Sequence, residues 1–268
     1  MQKYILFFTG IIAALILFSG CSKEDNPINS NVPTDDYVWV HFEGDSTKLE
    51  FSSLPKIDVE EGLAKGAATE AIRLSAFVDT TLIPIFRDKD GVQYESRNLY
   101  AYRIIGDDGF SASVKGYLDN IWEHMQIGYI LVDSRKTLFP DDIKDLPGAY
   151  NVKESRHIRI NRKIDVTAPD TTGFVRLPDV QVEQVENHDG QMEDAVSLQN
   201  IISVYVTDPA SHTYTYSTID GYGPSTDLTW TQFSTGYWLL QSEKAIFTDT
   251  ALVGGEYKVK ALQTITVK

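Results

Sequence analysis

Cys21 is the one cysteine of this 268-residue chain, and it follows Ser19-Gly20 at the end of an apolar run from Tyr4 to Phe18. A lone thiol cannot close an internal disulfide, so its chemistry is that of a single nucleophile. The five histidines, His41, His124, His157, His188 and His212, show none of the short spacings that hold a metal. A bis-histidine site would need distant members to meet in space. His157 falls in an alternating run and His188 in the turn Asn187-His188-Asp189-Gly190, so the spacing reads as unconnected surface histidines. Asp88-Lys89-Asp90-Gly91 opens like a calcium loop but lacks the later acceptors and the terminal Glu, which makes it a hairpin turn. Asp141-Asp142 and Asp145 read as an acidic loop. Ser111 has no Gly-x-Ser-x-Gly context and no base assigned to it. No catalytic constellation emerges, and neither a metal nor a cofactor is expected.

The N-terminus carries a stronger signal. Lys3, the apolar run and the small residues at 19 and 20 have the layout of a secretory signal, and the run is short for a spanning helix. Ser19-Gly20-Cys21 resembles the lipobox of bacterial lipoproteins, with Phe18 in place of the usual leucine. The resemblance implies cleavage of a signal peptide at 1–20, a diacylglycerol on the Cys21 thiol and an acyl chain such as palmitate on the new amino group. Several chains together anchor stably. Residues 21–36, with Ser22-Lys23-Glu24-Asp25 and then Asn, Pro, Ser and Asp, cannot bury a core and read as a tether. Lysine and acid directly after the cysteine resemble the export signal of Bacteroidetes-type surface lipoproteins. These features predict a cell-envelope protein held at the outer membrane, its surface face included.

The formal net charge is -14, and removing residues 1–20 takes away Lys3 and no acid. Such a surface repels phosphate backbones and anionic head groups, so no nucleic-acid partner is expected and the membrane is met through lipid alone.

An internal repeat organises the rest. Leu54-Pro55-Lys56-Ile57 matches Leu177-Pro178-Asp179-Val180, and Ala71-Ile72-Arg73-Leu74 matches Ala195-Val196-Ser197-Leu198. Asp108-Gly109-Phe110 matches Asp220-Gly221-Tyr222. Trp122, Gly128, Tyr129, Leu131 and Phe139 meet Trp230, Gly236, Tyr237, Leu239 and Phe247, and Ile158 meets Ile265. The spacing predicts two tandem copies of one small mixed fold, at 37–165 and 172–268, joined by 167–172.

Period-two runs predict strands at 37–42, 100–104, 157–161, 214–216 and 264–267. Ala71, Leu74 and Val78 space as one helical face, predicting short helices over 69–78, 194–202 and 118–126, the last stopped by Gly128. The fold class is α+β with strands dominant.

Each copy resembles the sulfite-oxidase-type molybdopterin-binding fold in a short form. The features that carry this are the Leu-Pro segment, the stretch from Ala71 to Val78 or from Ala195 to Ile202, the Asp-Gly-aromatic turn and the terminal Val-Lys…Ile strand. The resemblance implies a mixed, strand-rich fold. That family's enzymes use a cysteine thiolate on molybdenum, the soft ligand suited to it. Here Cys21 is on the tether, so the resemblance implies a fold whose active site has been lost.

Function is expected to be non-catalytic binding or assembly in the envelope, with an envelope protein or a glycan as partner. A redox-related protein carrying pterin or haem is one alternative. A glycan-binding surface lipoprotein is the other, and it needs exposed aromatics. Trp238, which replaces Ile130, Tyr216, which replaces Ile104, and Tyr222 are its candidate interaction residues.

Overall fold

Val38 and Val40 are buried while Trp39 and His41 are half-buried, so the first alternating run forms a strand, β1 (Tyr37–Phe42). The computed structural model describes residues 36–60, 68–78, 85–87, 90–111, 122–139 and 151–268. Cys21 with its tether, Asp88, Lys89, Asp141, Asp142 and Asp145 lie outside the described residues. No helix among the described residues is long and apolar enough to cross a membrane. Asp36–Lys268 cluster as one compact unit.

Glu43 and Gly44, both at positive φ, turn β1 back into β2 (Asp45–Glu50), its antiparallel partner. β3 (Lys56–Glu60) and β4 (Ala68–Arg73) follow, then α1 (Leu74–Phe77), a single helical turn. β5 (Ile85–Arg87) and β6 (Gln93–Glu95) pair across Gly91, which has φ +82°, so this stretch is a hairpin as expected. Next come β7 (Tyr100–Gly106), α2 (Trp122–Ile127), β8 (Tyr129–Leu131) and β9 (Thr137–Leu138). A long strand, β10 (Ser155–Ala168), leads into β11 (Thr171–Arg176), β12 (Val182–Glu186) and β13 (Met192–Ser197). α3 (Leu198–Ile202), β14 (Thr213–Thr218), β15 (Leu228–Thr229) and α4 (Trp230–Phe233) come after it, and β16 (Gly236–Leu239), β17 (Lys244–Phe247) and β18 (Leu262–Val267) close the chain. The class is α+β with strands dominant, as the sequence predicts.

The strand order is β15-β14-β18-β10-β1-β2 in the main sheet, with β7 and β11 also on β10. Two four-stranded sheets run β3-β4-β8-β9 and β12-β13-β16-β17, the same order of elements in each. β10 joins both ends of the main sheet. Its first half runs parallel to β1 and antiparallel to β7, and its second half runs antiparallel to β11 and parallel to β18. Residues 167–172, expected as a joiner, form the tight end of the β10–β11 hairpin. The match of Leu54 to Leu177 is shifted in space. The buried residue of the 3-10 turn after β2 is Phe51, and that of the turn after β11 is Leu177.

Two helix expectations need correction. Over 69–78 the chain is β4 as far as Arg73 and helical only from Leu74, and over 194–202 it is β13 as far as Ser197 and then α3. Each of these strands is covered on both faces. Ala71 packs with Leu131 and Leu138, whereas Ile72 packs with Val38 and Ile158. Ala195 and Val196 divide in the same way between two clusters. Burial on both faces removes the alternation that marks a strand. Of the helix expected at 118–126, residues 118–121 lie outside the described residues and the rest belongs to α2, which ends at Gly128. A Cβ there would meet the Phe139 ring at 2.5 Å and Leu74 Cδ1 at 2.7 Å. Gly236 is under the same constraint from Phe247 and Leu198.

The core falls into two large clusters that meet along β10. Ile158 and Ile160 belong to one, and Ile164 and Val166 to the other.

Candidate functional site

Two of the three aromatics expected at an interaction surface are core residues. Trp238 is 1% exposed, paired in register between Val196 and Ala245, with the Arg162 guanidinium 5.3 Å from its ring. Tyr216 is 2% exposed, stacked on Phe247 at 5.9 Å, and its hydroxyl donates to the Glu256 carbonyl. Burial pushes the Tyr216 hydroxyl well above the usual tyrosine range. The positions that the sequence matches to them, Ile130 and Ile104, are buried too, so a larger side chain there exposes nothing. This corrects the expectation for Trp238 and Tyr216. Tyr222 remains, 51% exposed at the tip of the Asp220-Gly221-Tyr222 turn, where Thr218 N donates to the Tyr222 carbonyl. Phe110 stands at the tip of the corresponding Asp108-Gly109-Phe110 turn and is exposed too.

The fold brings together residues that the sequence leaves apart. β1 and β10 lie side by side, so His41 and His157 meet, with Nε2 of the first 2.9 Å from Nδ1 of the second. His41 Nδ1 also lies 2.7 Å from Ser46 Oγ. Burial lowers both imidazole pKa values; His157 and Arg159 add to the effect on His41, and Arg159 and Arg156 to that on His157. A bis-histidine haem needs its two nitrogens about 4 Å apart across the iron, so these rings in their present contact do not bracket one. Beside them, Asp107 takes ion pairs from Arg135 at 2.8 Å and Arg156 at 2.7 Å, and Arg156 holds its carboxyl below the usual range.

Arg162 in β10 is buried and donates to three backbone carbonyls: Leu99 at 2.9 Å, Leu262 at 2.5 Å and Lys163. These bonds serve the fold, while its buried Nε has no acceptor among the described residues.

Arg176 ends β11, and its side chain turns under the following 3-10 turn, where Nε donates to Asp179 Oδ2 at 2.9 Å. Arg103 from β7 donates to the same oxygen at 3.2 Å. Arg176 is only 9% exposed, yet its Nη1 has no acceptor among the described residues. Arg176 is among the residues that line a groove of about 420 Å³ between β11 and α3. β11 supplies Phe174, Val175 and Arg176, the turn supplies Asp179, Val180 and Gln181, and the end of α3 supplies Asn200, Ser203 and Val204. Gly173 lets β11 pass close to Tyr205, whose hydroxyl donates to the Phe174 carbonyl at 2.8 Å. Buried donors are paired as a rule, so an unpaired one in a residue that lines a groove makes the groove a candidate site. Sequence reasoning passed over Arg176 because its partners are a single acid three residues on and an arginine from a distant strand. Among the described residues, no group of three or more His, Cys, Asp or Glu is placed to hold a metal.

Comparison of the chain with protein-family models, with curated proteins and with solved structures finds no match.

Proposed function

We propose that the chain is a lipid-anchored binding module of the cell envelope, built from two tandem copies of one fold, and that it takes its ligand in the β11–α3 groove. The observation that carries the binding role is the groove itself, which Arg176 lines while its buried Nη1 has no acceptor among the described residues. Binding is favoured over turnover at this place because Asp179, the one carboxylate there, is already tied up by two guanidinium groups. The anchor is supported by Ser19-Gly20-Cys21, and a compact unit that starts at Asp36 leaves a stretch of polar chain after the cysteine. The duplication is supported by the common strand order of the two four-stranded sheets and by the two Asp-Gly-aromatic turns. The resemblance to the molybdopterin-binding fold adds no ligand to this reading.

A thermal-shift screen of the full chain in detergent tests the binding role. The panel holds small neutral, cationic and anionic polar compounds, and the comparison is between the wild type and Val204→Trp, which fills the exposed rim of the groove. At least one class of compound is expected to raise the melting temperature of the wild type and not of the variant. If every shift is the same in both proteins, or none occurs, the groove is not the site.

A further inference from the structure

We propose that His41 and His157 form a two-imidazole site for a divalent transition-metal ion, with copper(II) and nickel(II) as the best-fitting ions. The strands create the juxtaposition. β1 and β10 run parallel, with Trp39 beside His157 and His41 beside Arg159 in register. The two histidines are therefore diagonal neighbours on one face of the main sheet, turned away from Val38, Val40 and Ile158 in the core. Both are half-buried. Nε2 of His41 and Nδ1 of His157 lie 2.9 Å apart, and the ring centroids 5.1 Å apart. This pair belongs to a different part of the fold from the β11–α3 groove and does not depend on it.

The spacing fits chelation. With metal–nitrogen bonds of about 2.0–2.1 Å, two nitrogens at a right angle around one ion are about 2.9 Å apart, and two at the tetrahedral angle about 3.3 Å. The separation in the structure is that of adjacent ligands on a tetragonal ion, the geometry of copper(II) and nickel(II), and is short for tetrahedral zinc. One hydrogen now lies between the rings, and a turn of both rings puts the ion in its place, with water completing the coordination. Ser46 Oγ, 2.7 Å from His41 Nδ1, accepts from that nitrogen and leaves Nε2 with its lone pair. The shared hydrogen is then on His157 Nδ1. On binding it passes to Nε2 of the same ring, so a neutral pair takes the ion with no net loss of a proton. Burial keeps both imidazoles below their ordinary pKa, helped by Arg159 at both and by Arg156 at His157, so protons do not compete near neutral pH. Those guanidinium groups also repel a cation, and the Asp107 carboxylate acts against them at His157.

The test is titration of the full chain, in detergent, by calorimetry with copper(II), nickel(II), zinc and calcium, together with electron paramagnetic resonance of the copper form. One copper(II) per chain is expected, with nickel and zinc weaker and calcium, which prefers oxygen ligands, not competing. The copper spectrum should show two nitrogen ligands. His41→Gln and His157→Gln should each weaken copper at least about ten-fold and leave one nitrogen in the spectrum. Either variant suffices if the other does not fold. His188→Gln, at an exposed histidine in the 187–190 turn, should change neither readout. Copper binding that Cys21→Ala abolishes belongs to the thiol and overturns the histidine site. Binding that neither His41→Gln nor His157→Gln weakens, a spectrum without the nitrogen pair, displacement of copper by calcium, or no saturable copper binding overturns it too.

Discussion

Arg162 shows what a buried charge does when it serves the fold alone. Its guanidinium lies between the carbonyls of Leu99 and Leu262, 63 and 100 residues away in the chain, and burial pulls its pKa down from the usual arginine value. Arg162→Met keeps the stem and strands those acceptors in the interior. The variant is expected to lose about 3–5 kcal/mol, read as a lower urea midpoint at an unchanged slope. The histidine pair gives a second outcome at this scale. Both imidazoles have lowered pKa values in the fold, so the unfolded chain binds protons first as pH falls below the ordinary 6.5. The unfolded state then carries more protons, and stability falls with pH through that window, before carboxylates such as Asp107 titrate. Urea midpoints at pH 7.5 and pH 5.5 should differ, and His41→Gln with His157→Gln should shrink the difference. A difference that the double variant leaves intact would assign the effect elsewhere. None of these partnerships can be read from spacing. The sequence shows Trp238 and Tyr216 only as differences between aligned positions, and such a difference does not say whether the position faces solvent.

β10 is the element on which both halves depend. Its alternation was legible at His157–Asn161, because Ile158 and Ile160 are buried and their neighbours are not. Its continuation to Ala168 was not legible, since the expected boundary at 165 fell inside it. β4 and β13 were misread for the opposite reason, adjacent residues being buried on both faces. Because β10 supplies Ile160 to one core and Ile164 to the other, damage at either position should be felt by both. Ile160→Ala and Ile164→Ala are each expected to cost about 2–5 kcal/mol. In both variants tryptophan fluorescence and far-UV circular dichroism should report one coincident transition. Two resolved transitions would mean that the two halves unfold independently in spite of the shared strand.

For the whole molecule the decisive residue lies outside the described structure. Cys21→Ala removes the only thiol, so the chain should still be exported but leave the membrane fraction, and labelled palmitate should enter the wild type alone. A variant that stays with the membrane would make the apolar N-terminus itself the anchor. The parallel pairings of β10 also bear on mechanics. β1, the first described strand, runs parallel to β10, and β18, which ends next to Lys268, runs parallel to β10 as well. A pull on the molecule between its two ends therefore drags β1 and β18 in opposite directions along β10. Hydrogen bonds loaded lengthwise in this way must break together, where a peeled edge would release them one at a time. An envelope protein held by lipid at one end and engaged near the other would meet tension in its stiffest direction.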